Sequence, residues 1–424
     1  MTSNGSVRHL ARLSCTLLIW GVASSTVVAS PRADNVEGCQ LAATLETFRA
    51  HALAHSPLVA EIDTTYATQV AQAIETELLT NPEFSAEQTY TRMNVGGAND
   101  PQSSITFSQP LKLSNFGKRD KVAELLRKAG GTQRDIQLLD FAQQTNVRFY
   151  TLFSLQETVR ILQEAERAAA SKVAAVKKHV KEGLLSQGSE ALFQGEKSRL
   201  EAQRVGAEAA LATLRSELSM AIGTECAVVA TQLPVAPKIP ATSVLLEKAR
   251  ASRISETARL AVIQELASEQ LRLAELDAFP SIAPRFVYQH TNDGGDFYGA
   301  GITLPIPLWN RNQAGIARAT AEKEVAVRKS ALIHKGGLEL QVSTARTAAA
   351  SSERQVEIYF SNVEPAFRAA LQAEERSYAS GKGGVLDVWQ TFRALNEAQL
   401  TALSLRQQAA IARARLSLLI GEEV

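Results

Sequence analysis

Apolar positions along the chain change period several times, and the sharpest change falls between Phe279 and Ala319. There Tyr298, Ala300, Ile302, Leu304 and Ile306 alternate with Gly299, Gly301, Thr303 and Pro305. A period of two belongs to a strand with one apolar face. Ile282, Phe286 and Tyr288 alternate in the same way against Arg285, Gln289 and Thr291. Asn292-Asp293-Gly294-Gly295 between the two runs is a turn signal. These runs predict strands at about 281–291 and 297–308. Each is roughly ten residues, the length that crosses a bilayer when tilted. Trp309 stands at the end of the second, where an interfacial aromatic belongs.

The pattern occurs twice. Pro82, Tyr90, Asn94, Gly96 and Gly97 match Pro280, Tyr288, Asn292, Gly294 and Gly295 at one offset. After a one-residue slip, Ile105-Thr106, Pro110 and Leu111 match Ile302-Thr303, Pro307 and Leu308. Gly188, Gln194 and Glu201-Ala202-Gln203 match Gly384, Gln390 and Glu397-Ala398-Gln399, and Leu218, Ile222 and Gly223 match Leu416, Ile420 and Gly421. A tandem repeat follows, with a second pair of strands near 83–93 and 103–113. Phe84, Tyr90, Ile105 and Phe107 are expected to point outward, with Gln88 and Gln109 interrupting that face.

Helical period fills the rest. Leu45–Ala54 predicts a short helix, and Ser56-Pro57 restarts it as cap and first residue, running to about Leu79. From Asp120 to Lys181 there is no proline, and Gly130-Gly131 is the main interruption; ~60 residues in one helix reach on the order of 90 Å. Glu182–Gly188 reads as a turn and Ser189–Ile222 as the returning helix. The second half predicts helix over Leu245–Ala278, a long helix over Gln313–Tyr378 kinked at Pro365, a turn at Ser380–Gly384, and a return over Val385–Ile420. Val385, Val388, Trp389, Phe392 and Leu395 form a stripe for packing on a neighbouring helix. The expected organisation is therefore an N-terminal extension at 30–44, a first repeat at 45–223, a proline-bearing linker at 224–242 and a second repeat at 243–424.

Basic and acidic residues balance to a net charge of +1, so nothing points to nucleic acid as a partner. Arg8 and Arg12, the apolar run Leu13–Val28, and small residues ending at Ala29 fit a secretory signal peptide over 1–29. Cys15 would leave with it. Cys39 and Cys226 remain, one before each half, and in an oxidising compartment they either pair or stay as free thiols. Val36-Glu37-Gly38-Cys39 also resembles, faintly, a lipid-attachment box.

Four membrane-length strands are too few to close a barrel, and open edges are not tolerated in lipid. Three copies would supply twelve strands, with the long helices continuing in water as a cylinder. At this point the chain resembles the outer-membrane efflux protein family, the TolC-like channels. The resemblance rests on the repeat, the paired strands and Tyr378, Gly381, Gly384, Val385-Leu386-Asp387-Val388, Leu395 and Glu397-Ala398. Pro305 to Gln313 resembles the segment typical of the cobalt–zinc–cadmium branch, as does Gln109-Pro110-Leu111 with Gly117-Lys118-Arg119. Ser114-Asn115-Phe116 departs from the branch's compact glycine-rich form.

The resemblance implies a mainly α fold with a small membrane β part: a periplasmic α-barrel below a trimeric twelve-stranded β-barrel in the outer membrane of a Gram-negative bacterium. It implies a homotrimeric exit duct in contact with outer-membrane lipid. The partners implied are a periplasmic adaptor and an RND-type inner-membrane pump, and the cargo divalent heavy-metal cations. Gly183, Ser186 and Gly188, with Gly381 and Gly384, would form the adaptor-binding tips, and Asp387 would line the channel constriction. The alternative for Asp387 is a charge favoured at a helix N-terminus. The family's second acid, one turn later, is Gln390 here. No Cys-x-x-Cys, phosphate loop or nucleophile motif appears, so no enzyme and no cofactor are expected. His51 and His55 are spaced i, i+4 but lack a third ligand, so no metal site is expected there. Two other readings remain open: a duct for drugs or secreted polypeptides, and a non-channel periplasmic coiled-coil protein.

Overall fold

A computed structural model describes residues 39–91, 100–233, 237–291 and 294–423. The signal peptide at 1–29, positions 30–38 of the extension, the Asn94, Gly96 and Gly97 turn, Pro234 and Asn292-Asp293 lie outside the described residues.

Strand β1 (Gln40–Ala43) leads into helix α1 (Leu45–His55). Thr44 and Thr47 cap that helix reciprocally: Thr44 Oγ1 accepts from the Thr47 N–H at 3.3 Å, and Thr47 Oγ1 from the Thr44 N–H at 2.9 Å. In α2 (Pro57–Glu77), Ser56 Oγ accepts from the Leu58 N–H at 3.3 Å, and Pro57 takes the first position, where its missing N–H costs nothing. Next come β2 (Glu83–Thr91) and β3 (Asp100–Ser108), then α3 (Lys118–Lys181), whose 64 residues span about 96 Å. Gly130 and Gly131 do not interrupt α3. Gly130 faces α2 so closely that a Cβ would lie 2.6 Å from Gln69 Oε1. Helix α4 (Gln187–Ile222) returns antiparallel to α3.

The stretch expected to be linker contains β4 (Ala227–Ala230), which pairs in parallel with β1 from Gln40–Ala227 to Ala43–Ala230. Four-residue strands are too short to show alternation, so neither was expected. The single helix expected over 245–278 is two, α5 (Thr242–Ala251) and α6 (Glu256–Leu276). Serines break it: Ser255 Oγ accepts from the Ala258 N–H at 3.4 Å and donates to the Ser252 carbonyl at 2.9 Å. Then follow β5 (Ala283–Thr291) and β6 (Asp296–Thr303). The strands thus end or begin a few residues from their expected limits.

The long helix expected over 313–378 is three: α7 (Gln313–Leu332), α8 (Leu338–Ile358) and α9 (Glu364–Ala379). The first break falls at Lys335 and Gly336, which leave helical geometry. The second is a wide π-type turn at Tyr359–Val363, immediately before Pro365. Pro365 itself sits in the first turn of α9, and the wide turn absorbs the lost backbone bond and the clash that a proline imposes four residues back. Helix α10 (Val385–Ile420) closes the chain.

Helix α3 is the spine, packed by α2, α4, α6 and α10. Phe48, Phe149, Leu152, Leu218, Ile222 and Val228 bury one core. Leu245, Leu338, Val342, Leu416 and Ile420 bury the other. The repeated pairs Leu218/Ile222 and Leu416/Ile420 therefore do equivalent work in the two halves. Val388, Phe392 and Leu395 of the α10 stripe are buried too.

Candidate channel-forming elements

The four longer strands form one antiparallel sheet in the order β2-β3-β5-β6. Its register sorts side chains onto two faces. One row carries Phe84, Phe107, Phe286 and Ala300, and the next carries Ala86, Ile105, Tyr288 and Tyr298. The opposite face carries Ser85, Glu87, Thr106, Ser104, Gln289 and Gly299. Val287 and Phe297 are apolar exceptions on that face. Phe84, Tyr298 and Ile302 are 70%, 81% and 74% exposed, so the apolar face has no cover within the chain. Among the described residues β2 and β6 are each paired on one side only. Such a sheet, apolar outside with free edges, needs lipid and further strands around it.

Towards the hairpin ends a polar row of Gln88, Ser103, His290 and Asp296 interrupts the apolar face, with the exposed Tyr90 beyond it. Tyr288 Oη donates to Asp296 Oδ1 at 2.9 Å, and His290 Nδ1 contacts the same oxygen at 2.8 Å. At the other end both crossovers into helices lock onto the end of α6. Lys112 Nζ and Asn115 Nδ2 each donate to Asp277 Oδ1 at 2.8 Å, and Ser114 Oγ donates to the Leu276 carbonyl at 3.0 Å. In the second half Asn312 Nδ2 donates to the Ala274 carbonyl at 2.8 Å. Ser114 and Asn115, in the segment that departs from the glycine-rich form, thus supply this lock.

The far ends of the helices make two turns of one design. Gly183 and Gly381 take φ of 73° and 74°, a conformation that favours glycine. The Leu184 N–H donates to the His179 carbonyl at 2.9 Å, and the Lys382 N–H to the Ser377 carbonyl at 3.0 Å. Both are Schellman endings. Ser186 Oγ caps α4 through the Ser189 N–H at 3.3 Å, and Gly188 lies inside the first turn of α4 rather than in the loop. Gly384 caps α10, and its N–H donates to Asp387 Oδ2 at 3.3 Å. Asp387 is exposed on this chain, at the positive end of the α10 dipole. The two turns lie side by side: His179 Nδ1 and Tyr378 Oη are 2.7 Å apart, Lys172 pairs with Glu375, and Lys172 Nζ sits 5.4 Å from the Phe392 ring centroid. Nothing local in the sequence marks these cross-links, which join residues about 200 positions apart.

Cys39 and Cys226 form a disulfide with Cα atoms 4.8 Å apart, directly before β1 and β4. It joins equivalent points of the two halves. His51 and His55 stack with centroids 4.3 Å apart, and His55 Nδ1 contacts the His51 carbonyl at 3.1 Å. Among the described residues no group of three or more His, Cys, Asp or Glu is placed to hold a metal ion, and no helix is long and apolar enough to cross a membrane.

Comparison with known proteins then bears on the whole arrangement. Residues 258–422 match the outer membrane efflux protein family. The match covers the second half, whose strand pair and long helices the first half repeats. No curated protein matches the chain by sequence. Among solved structures, the chain is similar to the outer membrane protein VceC of Vibrio cholerae, with a TM-score of 0.73 at 16% identity over 89% of this chain and 96% of that one. It is similar to the MtrE outer membrane channel of Neisseria gonorrhoeae, crystallised in an open state, with a TM-score of 0.70 at 18% identity over 89% of each chain. CusC, whose structures describe transmembrane channel formation, gives a TM-score of 0.71 at 16% identity over 90% of this chain and 93% of that one. The fold is therefore that of the outer membrane efflux channels, mainly helical with a small β part.

Proposed function

We propose that this chain is one protomer of a trimeric exit channel in the outer membrane of a Gram-negative bacterium, serving a tripartite efflux system. The observation that carries the reading is the four-stranded sheet with an uncovered apolar face and two free edges, joined to helices about three times longer than a bilayer core. Three such sheets make a twelve-stranded barrel. Helices of this length then form a water-filled cylinder, since no described helix suits lipid.

The paired turns at 182–186 and 380–384 lie at the end of the helices remote from the sheet, where a periplasmic adaptor would dock, with an RND-type pump beyond it. Gly183, Ser186, Gly188, Gly381 and Gly384 are the docking residues in this reading, and Asp387 contributes one acid per protomer to the constriction. Divalent heavy-metal cations are the cargo we favour, because Pro305–Gln313 resembles the metal branch of the family. Among the described residues no set of metal ligands is gathered, so in this reading selection rests with the pump.

Membrane fractionation with bilayer conductance tests the channel. Heat-modifiable trimers in the outer-membrane fraction that open discrete pores are the expected result. A soluble monomer without conductance would favour the non-channel coiled-coil reading instead.

A further inference from the structure

The tandem repeat implies one contact that a single chain cannot make. Within the chain, the crossover after β3 reaches into the other half: Lys112 Nζ donates to Asp277 Oδ1 at 2.8 Å, at the end of α6. The end of α6 also receives its own half's crossover, through Asn312. The end of α2 is the equivalent place in the first half. Among the described residues its side-chain hydrogen bonds come only from its own half: Gln109 Nε2 donates to the Thr80 carbonyl at 2.8 Å, and Arg119 Nη1 to the Leu78 carbonyl at 3.3 Å.

The repeat names the missing partner. At the offset that matches Pro82 to Pro280, Leu79 corresponds to Asp277. At the offset that matches Leu111 to Leu308, Lys112 corresponds to Trp309. The counterpart of the Lys112–Asp277 contact is therefore Trp309 with Leu79. In one chain these two stand below opposite edges of the sheet, 86% and 62% exposed. Closing the barrel puts β6 of one copy beside β2 of the next, antiparallel like every other neighbouring pair of that sheet. The residues that follow β6 then run down beside those that precede β2.

Leu79 also forms one wall of a cavity of about 210 Å³, with Thr80, Phe116, Arg119 and Asp120. That is below the roughly 300–1,000 Å³ of small-molecule sites and leaves room for one aromatic ring. Arg119, whose Nε is buried without a hydrogen-bond partner, offers a guanidinium for an aromatic face. Asp120 makes no ion pair among the described residues and can accept from an indole N–H.

We propose that Trp309 of one copy packs on Leu79 of the next and sets its indole in this cavity, against the Arg119 guanidinium. The contact rests on the trimeric reading above and adds a side-chain lock at the foot of each junction between copies. The halves of one chain are joined there by an ion pair, and the copies by an apolar contact that salt does not screen.

Cysteine cross-linking in outer membranes tests this, the native Cys39 and Cys226 being already bonded to each other. Leu79→Cys combined with Trp309→Cys should give covalent dimers and trimers under mild oxidation. Neither single variant should, because each site meets only the other. If the double cysteine variant fails to assemble, an alanine cycle decides. Trp309→Ala and Leu79→Ala should each lower the temperature at which trimers dissociate, and the double variant should fall no further than the worse single one. Trp309→Phe should keep more of that stability than Trp309→Ala. Heat-modifiable trimers of the double cysteine variant that form no cross-link, or alanine effects that simply add, overturn the contact. They would leave the trimer standing and make Trp309 a lipid-facing aromatic at the membrane boundary. Parent chains that form no trimer would remove the contact and the trimeric reading together.

Discussion

Asp387 can act in two ways, and conservative substitutions separate them. Its carboxylate accepts from the Gly384 N–H at the start of α10, a local role worth about 0.3–1 kcal/mol. It is also one of three acids that would meet in a trimer and favour cations. Asp387→Asn keeps an acceptor for the Gly384 N–H but removes the charge, whereas Asp387→Ala removes both. If the constriction reading holds, both variants lose most of their cation preference in bilayer recordings, and only Asp387→Ala also loses a little thermal stability. Unchanged selectivity in both would leave Asp387 with the capping role alone. With Gln390 one turn on, no second acid in this motif masks the effect.

At the scale of elements, what could be read from the sequence depended on length and on distance along the chain. Strands of eight or nine residues announced themselves through alternation, and their register then put Phe84, Phe107 and Phe286 in one row. That row gives a sharp test. Phe286→Arg puts a charge on the lipid side, at a cost of about 2–4 kcal/mol if the site is near mid-membrane, and should deplete trimers in the outer membrane. Gln289→Arg, on the polar face of the same strand, should assemble normally. Equal loss in both would mean that the apolar face does not meet lipid. β1 and β4 were invisible because four residues hold too few periods, and their pairing spans 187 positions. The breaks in the long helix expected over 313–378 were half legible. Pro365 flagged the region, but the wide turn lies before it, and the first break at Lys335–Gly336 has only a Gly-Gly pair to signal it. The tip cross-link between His179 and Tyr378 had no signal, since a single long-range pair creates no pattern.

The disulfide acts at the same scale. It fastens β1 to β4 at equivalent points of the two halves and closes a loop of 187 residues, so its main effect is to restrict the unfolded chain. Cys39→Ser with Cys226→Ser should cost about 2–4 kcal/mol and lower the melting temperature while leaving conductance intact. A melting temperature equal to that of the unreduced parent would show that the bridge contributes nothing to stability. Because one sulfur forms one such bond, the bridge and a lipid on Cys39 exclude each other; mass spectrometry of the intact chain distinguishes the two.

For the whole molecule, the duct and its cargo are separate propositions. The proposed duct rests on a sheet that cannot close alone and on described helices that are long and not apolar enough for lipid. The cargo does not, because the chain resembles VceC, MtrE and CusC in fold to nearly the same degree. The metal reading rests on Pro305–Gln313, a crossover segment whose Asn312 anchors the chain to α6. Growth of a strain lacking this protein, on graded zinc, cobalt, cadmium, nickel and copper beside dyes, detergents and antibiotics, separates them. Sensitivity confined to metals and rescued by the intact gene is the expected outcome, and the metal concerned identifies the cargo. Sensitivity to organic compounds with ordinary metal tolerance would overturn the metal reading yet leave the trimeric duct in place, since in this reading selection rests with the pump.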